Sequence, residues 1–500
     1  MLLHAADAAY HDAPASWGRE PNVQSWVTLE HGDVERAMAE ADRVVEHVFR
    51  TQPVHQGYIE PHAYFVRADA SGQVQLSLPN KMPMRSRELL AQLMDLPEDS
   101  IDIHPSYIGG DFGGKGSLMD LPAVVYLARR THRPVKYRID VVCAYTNSVP
   151  RGHARAPGSP QCYFASESHM DMLAQELGMD PVEFRLKNAD RSNPRQQEVV
   201  ERALEASVWR TARGKHHGRG ISLGNHGVGT GMATIRLTLE PSGRVLLQTG
   251  LPDTGTGALT VLQQVVAETL GISVDRIDIQ TLGTLQAPPD SGAGASRVTH
   301  VAGRAAFGAA EALKDEMARR STTFDNVGEP ISVEYAYESQ RGSTDATGYI
   351  AQVADVHVDP ETGQVTVERL TTSHEVGTIV NPLMHQGQIE GGIIQGFGLA
   401  VMEDLAMQDG RVVASHLGEL KLPTIADIPP LSTELVGSTD GPGPFAAKAI
   451  GESSNILTAA AIANAVYDAC GVRITELPIT AEKVFAALSS GAAPSPQVGP

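Results

Sequence analysis

Cysteine is scarce in this 500-residue chain: Cys143, Cys162 and Cys470 stand apart, with no CxxC or His-paired spacing among them. That excludes a disulfide framework, a structural zinc site and an iron–sulfur cluster held by this chain. It predicts buried free thiols in a reducing compartment. Positive charge is also in deficit. With 40 Lys and Arg against 59 Asp and Glu, the net charge of -19 repels phosphate over most of the surface, so neither nucleic acid nor an acidic membrane is an expected partner. Long apolar runs are missing too. None reaches the length of a membrane span, and the first residues carry neither a basic stretch nor a long apolar core. The expectation is a soluble cytoplasmic protein.

What is present is globular: 42% hydrophobic and 20% charged residues, in a chain too long for one ordinary core. The patterning divides it into a first half over 1–195, a second half over 196–489, and a disordered Pro/Gly/Ala-rich tail over 490–500. The weakly patterned, charged stretch 188–218 reads as the boundary between halves.

Glycine is the other abundance, and it falls in loops. Residues 109–116, Gly-Gly-Asp-Phe-Gly-Gly-Lys-Gly, follow a β-branched strand-like run over 100–106 and precede a helix over 121–130. Glycine lets such a loop adopt positive φ and turn its amides toward an anion, and a helix start adds its dipole. Upstream, alternation predicts a helix over 33–46, a strand over 44–50, a hairpin over 63–78 and a helix over 85–96; downstream, a strand over 134–138 and a helix over 164–177. The second half repeats the theme of strand, small-residue loop and helix. Its loops are 253–257, 291–297, 387–392 and 442–452, each ahead of a helix. Loops of this kind can converge on one large ligand.

Gly109, Gly114 and Lys115 satisfy the glycine and lysine part of a P-loop, but Gly116 stands where a hydroxyl should ligate Mg²⁺. A nucleotide-binding protein and a plain structural turn are therefore both alternatives. For Glu452 the bland reading is a helix first-turn acid, and for Arg155 a solvated loop cation.

An ordered series of motifs is more specific. Gly109-Gly110-Asp111-Phe112-Gly113-Gly114-Lys115, with Ile59-Glu60-Pro61-His62 before it and Arg133-Pro134-Val135-Lys136 after it, resembles the molybdopterin-binding large subunit of the xanthine dehydrogenase/aldehyde oxidase family. So do Met170-Asp171, Leu177-Gly178-Met179-Asp180-Pro181, Gly387-Gln388-Ile389-Glu390-Gly391-Gly392, Ala447-Lys448 with Gly451-Glu452, and Ala463-Asn464-Ala465-Val466. The resemblance covers about residues 25–485. It implies an α+β fold of two elongated α/β-containing halves with the cofactor at their interface.

It further implies a molybdenum–molybdopterin cofactor, in the plain or the cytosine dinucleotide form, with the metal held through the pterin. The implied reaction is hydroxylation of an aldehyde or N-heterocycle, a small-molecule substrate, with oxygen from water. Electrons would leave through partner iron–sulfur and FAD subunits of a hetero-oligomer. By position, Glu452 matches the catalytic base. Gly110, Phe112, Gly113, Gly114, Arg155, Ala295, Ser296 and Gln388 match cofactor-binding positions. Partial desolvation is expected to raise the pKa of Glu452 toward neutrality.

The chain also departs from the pattern. Asn80-Lys81 replaces a Thr-Gln pair, Gly255-Thr256-Gly257 replaces Gly-Gln-Gly, and Pro157 replaces an aromatic that packs on planar substrates, which disfavours purines. By the resemblance, several dozen residues that relatives carry are expected to be lost between Arg138 and Tyr145, the stretch 320–348 to be shortened, and a small domain that usually precedes residue 1 to be missing. Lost strands would expose apolar neighbours and unpaired edges. An inactive remnant or scaffold without cofactor is therefore the rival reading.

Overall fold

The computed structural model describes residues 33–41, 43–119, 121–131, 135–138, 152–189, 193–339, 347–408, 411–414 and 416–490. Cys143, Arg151, the 139–145 junction and the tail beyond 490 lie outside them.

The chain enters through α1 (Val34–Glu40), capped by Asp33, which accepts from the Arg36 N–H. This helix is shorter than the 33–46 expected and buries none of its side chains. Residues 44–50 form no strand; Arg50 makes one isolated bridge with Glu476. Their apolar alternation is not satisfied by a partner strand, and Val44 and Val48 remain exposed. The hairpin follows as expected: β1 (Ala63–Ala68) pairs antiparallel with β2 (Val74–Leu78), and the Asp69 carboxylate closes the turn. Then come α2 (Pro83–Met94), β3 (Ile101–Pro105), α3 (Leu121–Thr131) and β4 (Val135–Arg138). The sheet order is β3-β2-β1-β4. Alternation puts Tyr64, Val66, Leu76 and Leu78 on the buried face, against Leu90, Leu121 and Val125 of the two helices.

Three helices cross to the rest of the molecule: α4 (Ser159–Glu176), α5 (Pro181–Asn188) and α6 (Arg195–Ala206). The last occupies the stretch read as a boundary. Its charged residues hid an apolar stripe, Val199, Val200, Ala203 and Leu204, that is buried. Cys162 on α4 is exposed and Cys470 half-buried, so the expected burial of thiols does not hold for these two.

Next come β5 (His217–His226), β6 (Gly231–Leu239), β7 (Val245–Thr249), α7 (Ala258–Leu270), β8 (Ile277–Thr281), α8 (Val298–Arg319) and β9 (Ile331–Ser339). Strands β8-β7-β6-β9 form a sheet on which α7 and α8 bury Leu262, Val265, Val301, Ala305 and Leu313. Then β10 (Gly348–Val358), β11 (Val365–Gly377), α9 (Pro382–Val401), the two-residue strands β12 (Met407–Gln408) and β13 (Arg411–Val412), β14 (Leu431–Gly437), α10 (Thr458–Cys470) and α11 (Ala481–Ser490) complete the chain. A third sheet runs β14-β11-β10-β5. Its central β10 is buried along almost its whole length, between α10 on one face and α6 on the other. Gly218 and Gly220 on β5 admit α10: a Cβ there would strike the carbonyls of Ala465 and Ala461.

Residues 387–392, read as a loop, lie inside α9. Asn381 caps this helix and Pro382 starts it, so the start signal stood before the glycines, not after them. Among the described residues no helix is long and apolar enough to cross a membrane.

Candidate active site

The glycine loop is organised by two carboxylates. Asp111 accepts from the N–H of Gly113 at 2.9 Å, the N–H of Lys115 at 2.7 Å and Lys81 Nζ at 2.8 Å. Glu60 accepts from the Gly109 N–H at 2.7 Å and Lys115 Nζ at 2.5 Å. The Lys115 side chain is fully enclosed, with its ammonium 5.1 Å from the centre of the Tyr58 ring. A P-loop lysine must reach its ligand's phosphates. This one is committed to Glu60, which corrects the nucleotide-binding alternative.

Gly113, at φ +111°, is the tightest point. A Cβ there would run into the carbonyl of His153, so the segment 152–158 lies directly on the loop. The Arg155 N–H donates to the Phe112 carbonyl at 2.9 Å and completes the join. The Arg155 guanidinium then donates to the Gly451 carbonyl at 2.6 Å, the Gln388 carbonyl at 3.0 Å, Gln388 Oε1 at 3.3 Å and Gln395 Oε1 at 3.3 Å. It is no solvated cation. Burial lowers its pKa to about 10, with the charge of Glu452 opposing, so it stays protonated at neutral pH.

Glu452 stands just ahead of a 3₁₀ turn, Ser453–Asn455. Its Oε1 accepts from the Ala156 N–H at 3.0 Å, and its Oε2 from Ser296 Oγ at 3.1 Å. Both donors belong to non-glycine residues in the left-handed region, Ala156 at φ +57° and Ser296 at φ +54°. Backbone in that region is strained and persists where surrounding contacts over-determine it. His226 Nε2 lies 3.8 Å from Oε2. Desolvation pushes the carboxyl's pKa up, but the nearby His226 imidazole, the Ala156 N–H and the Ser296 hydroxyl together bring it below the usual glutamate value. The expected upward shift is therefore reversed: two hydrogen-bond donors and the neighbouring imidazole outweigh burial.

Support comes from behind. Arg297 holds the 291–297 loop through Asp290 Oδ1 at 2.9 Å and the Gly292 carbonyl at 2.7 Å, and burial raises the Asp290 carboxyl to about 6 despite Arg297. The Ala295 carbonyl accepts from the Gly229 N–H at 2.6 Å. Lys448 Nζ meets Glu375 Oε2 at 2.9 Å in a buried pair that anchors the 447–452 segment.

These segments enclose a cavity of about 1210 Å³. Gly110, Phe112, Gly113, Arg155, Ala295, Ser296, Gln388 and Glu452 all line it. Gly114 does not: it packs where a Cβ would strike the Tyr58 ring. Thr254, Gly255 and Thr256 also line the wall, as do the starts of α7, α8 and α9, none of which has an acidic residue in its first turn. Sequence reasoning missed His226. It is the last residue of β5, and no spacing to Glu452 marks it.

At Gly227, Gly255, Gly294, Gly387 and Gly391, all on the cavity wall, an added Cβ would meet nothing within 4 Å. Bare backbone there faces open space of ligand size, next to helix starts and the Arg155 cation. A pterin with a phosphate tail suits that donor set: amides and helix N-termini for the anion, and glycines that leave room for rings.

Comparison with known proteins bears on what fills the space. Two molybdopterin cofactor-binding domain families match, one over residues 195–429, the other over 18–141 and 136–189. The break in the second match falls at the junction where the sequence places the missing segment. The chain is similar to the xanthine dehydrogenase molybdenum-binding subunit of Escherichia coli O157:H7, 26% identical over 97% of this chain and 82% of the relative. That alignment runs over 617 positions against a 500-residue chain, so more than a hundred of them face no residue here. The aldehyde oxidoreductase molybdenum-binding subunit PaoC of the same organism is 27% identical over 91% of this chain and 77% of its own length. The fold matches the crystal structure of quinoline 2-oxidoreductase from Pseudomonas putida 86, with a TM-score of 0.81 at 21% identity, over 91% of this chain and 78% of that one.

Proposed function

The chain belongs to the molybdopterin-binding subunits of the xanthine dehydrogenase/aldehyde oxidase family and is a molybdenum-dependent oxidoreductase subunit; from that premise we propose that it oxidises an aldehyde or an N-heterocycle with oxygen from water, using Glu452 as the base. The observation that carries this reading is the Glu452 carboxylate, clamped between two strained donors on the wall of the cavity. When bound, the molybdenum pterin supplies a two-electron sink and polarises water.

The chain's own residues do the rest. Glu452 is ionised at neutral pH, so its carboxylate is ready to accept the proton that water loses as oxygen adds to the substrate carbon. Arg155 fixes Gln388 and Gly451 relative to the glycine loop. In this reading Gly110, Phe112 and Gly113 border the reactive end, Ala295, Ser296 and Gln388 hold the pterin, and Gly114 acts from behind the loop. The starts of α7, α8 and α9 favour a phosphate tail, which the plain and the cytosine dinucleotide forms of the cofactor both carry.

Pro157 in place of an aromatic removes one stacking surface for a planar purine, which favours smaller aldehydes and heterocycles. Iron–sulfur and FAD subunits in a cytoplasmic hetero-oligomer complete the reading, with halves dividing near residue 195. The rival, a scaffold without cofactor, predicts the same fold with no metal.

The test is a screen of aldehydes and N-heterocycles with an artificial electron acceptor, on protein expressed together with cofactor-maturation machinery and carrying molybdenum. Dye reduction by at least one class is expected. Molybdenum-loaded protein inert toward both classes would remove the substrate assignment.

A further inference from the structure

The groups that hold Glu452 differ in kind. The Ala156 N–H and Ser296 Oγ are neutral at every pH of interest, and Arg155 stays protonated throughout. His226, 3.8 Å from Oε2 and on the cavity wall, is the contact whose side chain has both a charged and a neutral form. Other charged groups of the wall have their own counter-ions: Lys81 pairs with Asp111 at 2.8 Å, Arg297 with Asp290 at 2.9 Å and Lys448 with Glu375 at 2.9 Å. Of the remaining wall histidines, His385 is turned to the Asn381 carbonyl at 2.8 Å, and His153 sits on the glycine loop through its carbonyl. Burial, His226, Ala156 and Ser296 set the balance of the Glu452 carboxyl.

We propose that His226 is a positioning residue that couples to Glu452, so that the charged imidazole holds the glutamate as an ion and the neutral imidazole releases a more basic carboxylate toward the cavity. The placement suits this role. His226 is the last residue of β5, and Gly348 of the buried β10 pairs with it, so its backbone is fixed while its side chain reaches the cavity. An opposite charge at this range moves a carboxyl by about one unit or more. The inference rests on Glu452 as the base, and its test is separate from turnover.

The experiment titrates Glu452 in the whole purified chain by infrared spectroscopy with ¹³C-labelled glutamate, with Glu452→Gln subtracted to assign the band. The wild type is expected to show a carboxylate step below the ordinary glutamate range and a second perturbation of the same band when the imidazole changes charge. His226→Ala should lose the second feature and raise the first by about one unit. His226→Arg, a permanent cation, should lose the second feature and keep the first low. An unmoved Glu452 step in His226→Ala would overturn the proposal. Should that variant not fold, a wild-type Glu452 band with no second feature overturns it equally. Because no catalysis is read, failure here leaves the base assignment standing; an active Glu452→Gln enzyme would remove that assignment instead.

Discussion

In the loop 109–116 a Cβ at Gly109 would strike Glu60, one at Gly113 the carbonyl of His153 and one at Gly114 the ring of Tyr58, whereas at Gly255, Gly294, Gly387 and Gly391 it would meet nothing within 4 Å. Both regions are glycine-rich, and both looked like cradles in the sequence. The first needs glycine so that the protein can close on itself around Asp111 and Glu60. The second needs glycine so that the protein leaves room. A glycine's meaning therefore depends on what its missing Cβ would touch, and that is a tertiary fact.

Substitutions can break or sharpen this contrast. The largest effect is expected at the point both regions serve. Glu452→Gln preserves the shape and an acceptor for the Ala156 N–H, but removes the proposed base; kcat should fall by about 10²–10⁴-fold with molybdenum content unchanged. Steady-state rates and metal analysis on the same sample check it. Next is Gly113→Ala, in the self-closing region. Clash with the His153 carbonyl at φ +111° should cost about 3 kcal/mol or more of stability, read from urea unfolding, and cofactor content should fall with it.

Gly391→Ala is expected to act with the opposite sign. Inside α9, alanine should stabilise the cofactor-free chain by up to about 1 kcal/mol, while molybdenum content falls because the methyl enters the cavity. If Gly113→Ala and Gly391→Ala moved stability in the same direction, the contrast would be lost.

The smallest effect concerns pH. The Glu452 pKa is held below its ordinary value in the folded state, so these contacts contribute stability above the unfolded pKa and lose it as pH falls through the folded one. The acid limb of kcat/KM in the free enzyme should accordingly lie below the usual glutamate range, and a limb near neutrality would show that burial wins after all.

Much of the architecture was legible because strong periodicity and caps agreed: the hairpin at 63–78 and the helices that follow the loops 253–257, 291–297 and 442–452 stand where their patterns placed them. The misses share a cause. Residues 44–50 alternate like a strand, yet no strand pairs with them beyond one bridge. The glycines 387–392 look like a loop, yet packing of Ile389 and Ile393 into the core holds them helical. β9 was passed over within a stretch noted only as short, although the alternation of Ile331, Val333, Tyr335 and Tyr337 carried the signal, and β10, just beyond it, was not read at all. At the site, motif order located Glu452, Arg155 and Gln388, but not the direction of the glutamate's shift. That direction depends on His226, a strand residue brought across by folding.

Everything proposed for the site requires that this cavity hold a molybdenum pterin. The most direct test is to purify the chain after expression with the maturation machinery and measure molybdenum and released pterin per polypeptide. Near one of each is the expected result, with both lost in Gly391→Trp, whose side chain would fill the cavity from its α9 wall. Folded, metal-free and pterin-free wild-type protein would contradict the account and leave the scaffold reading in its place.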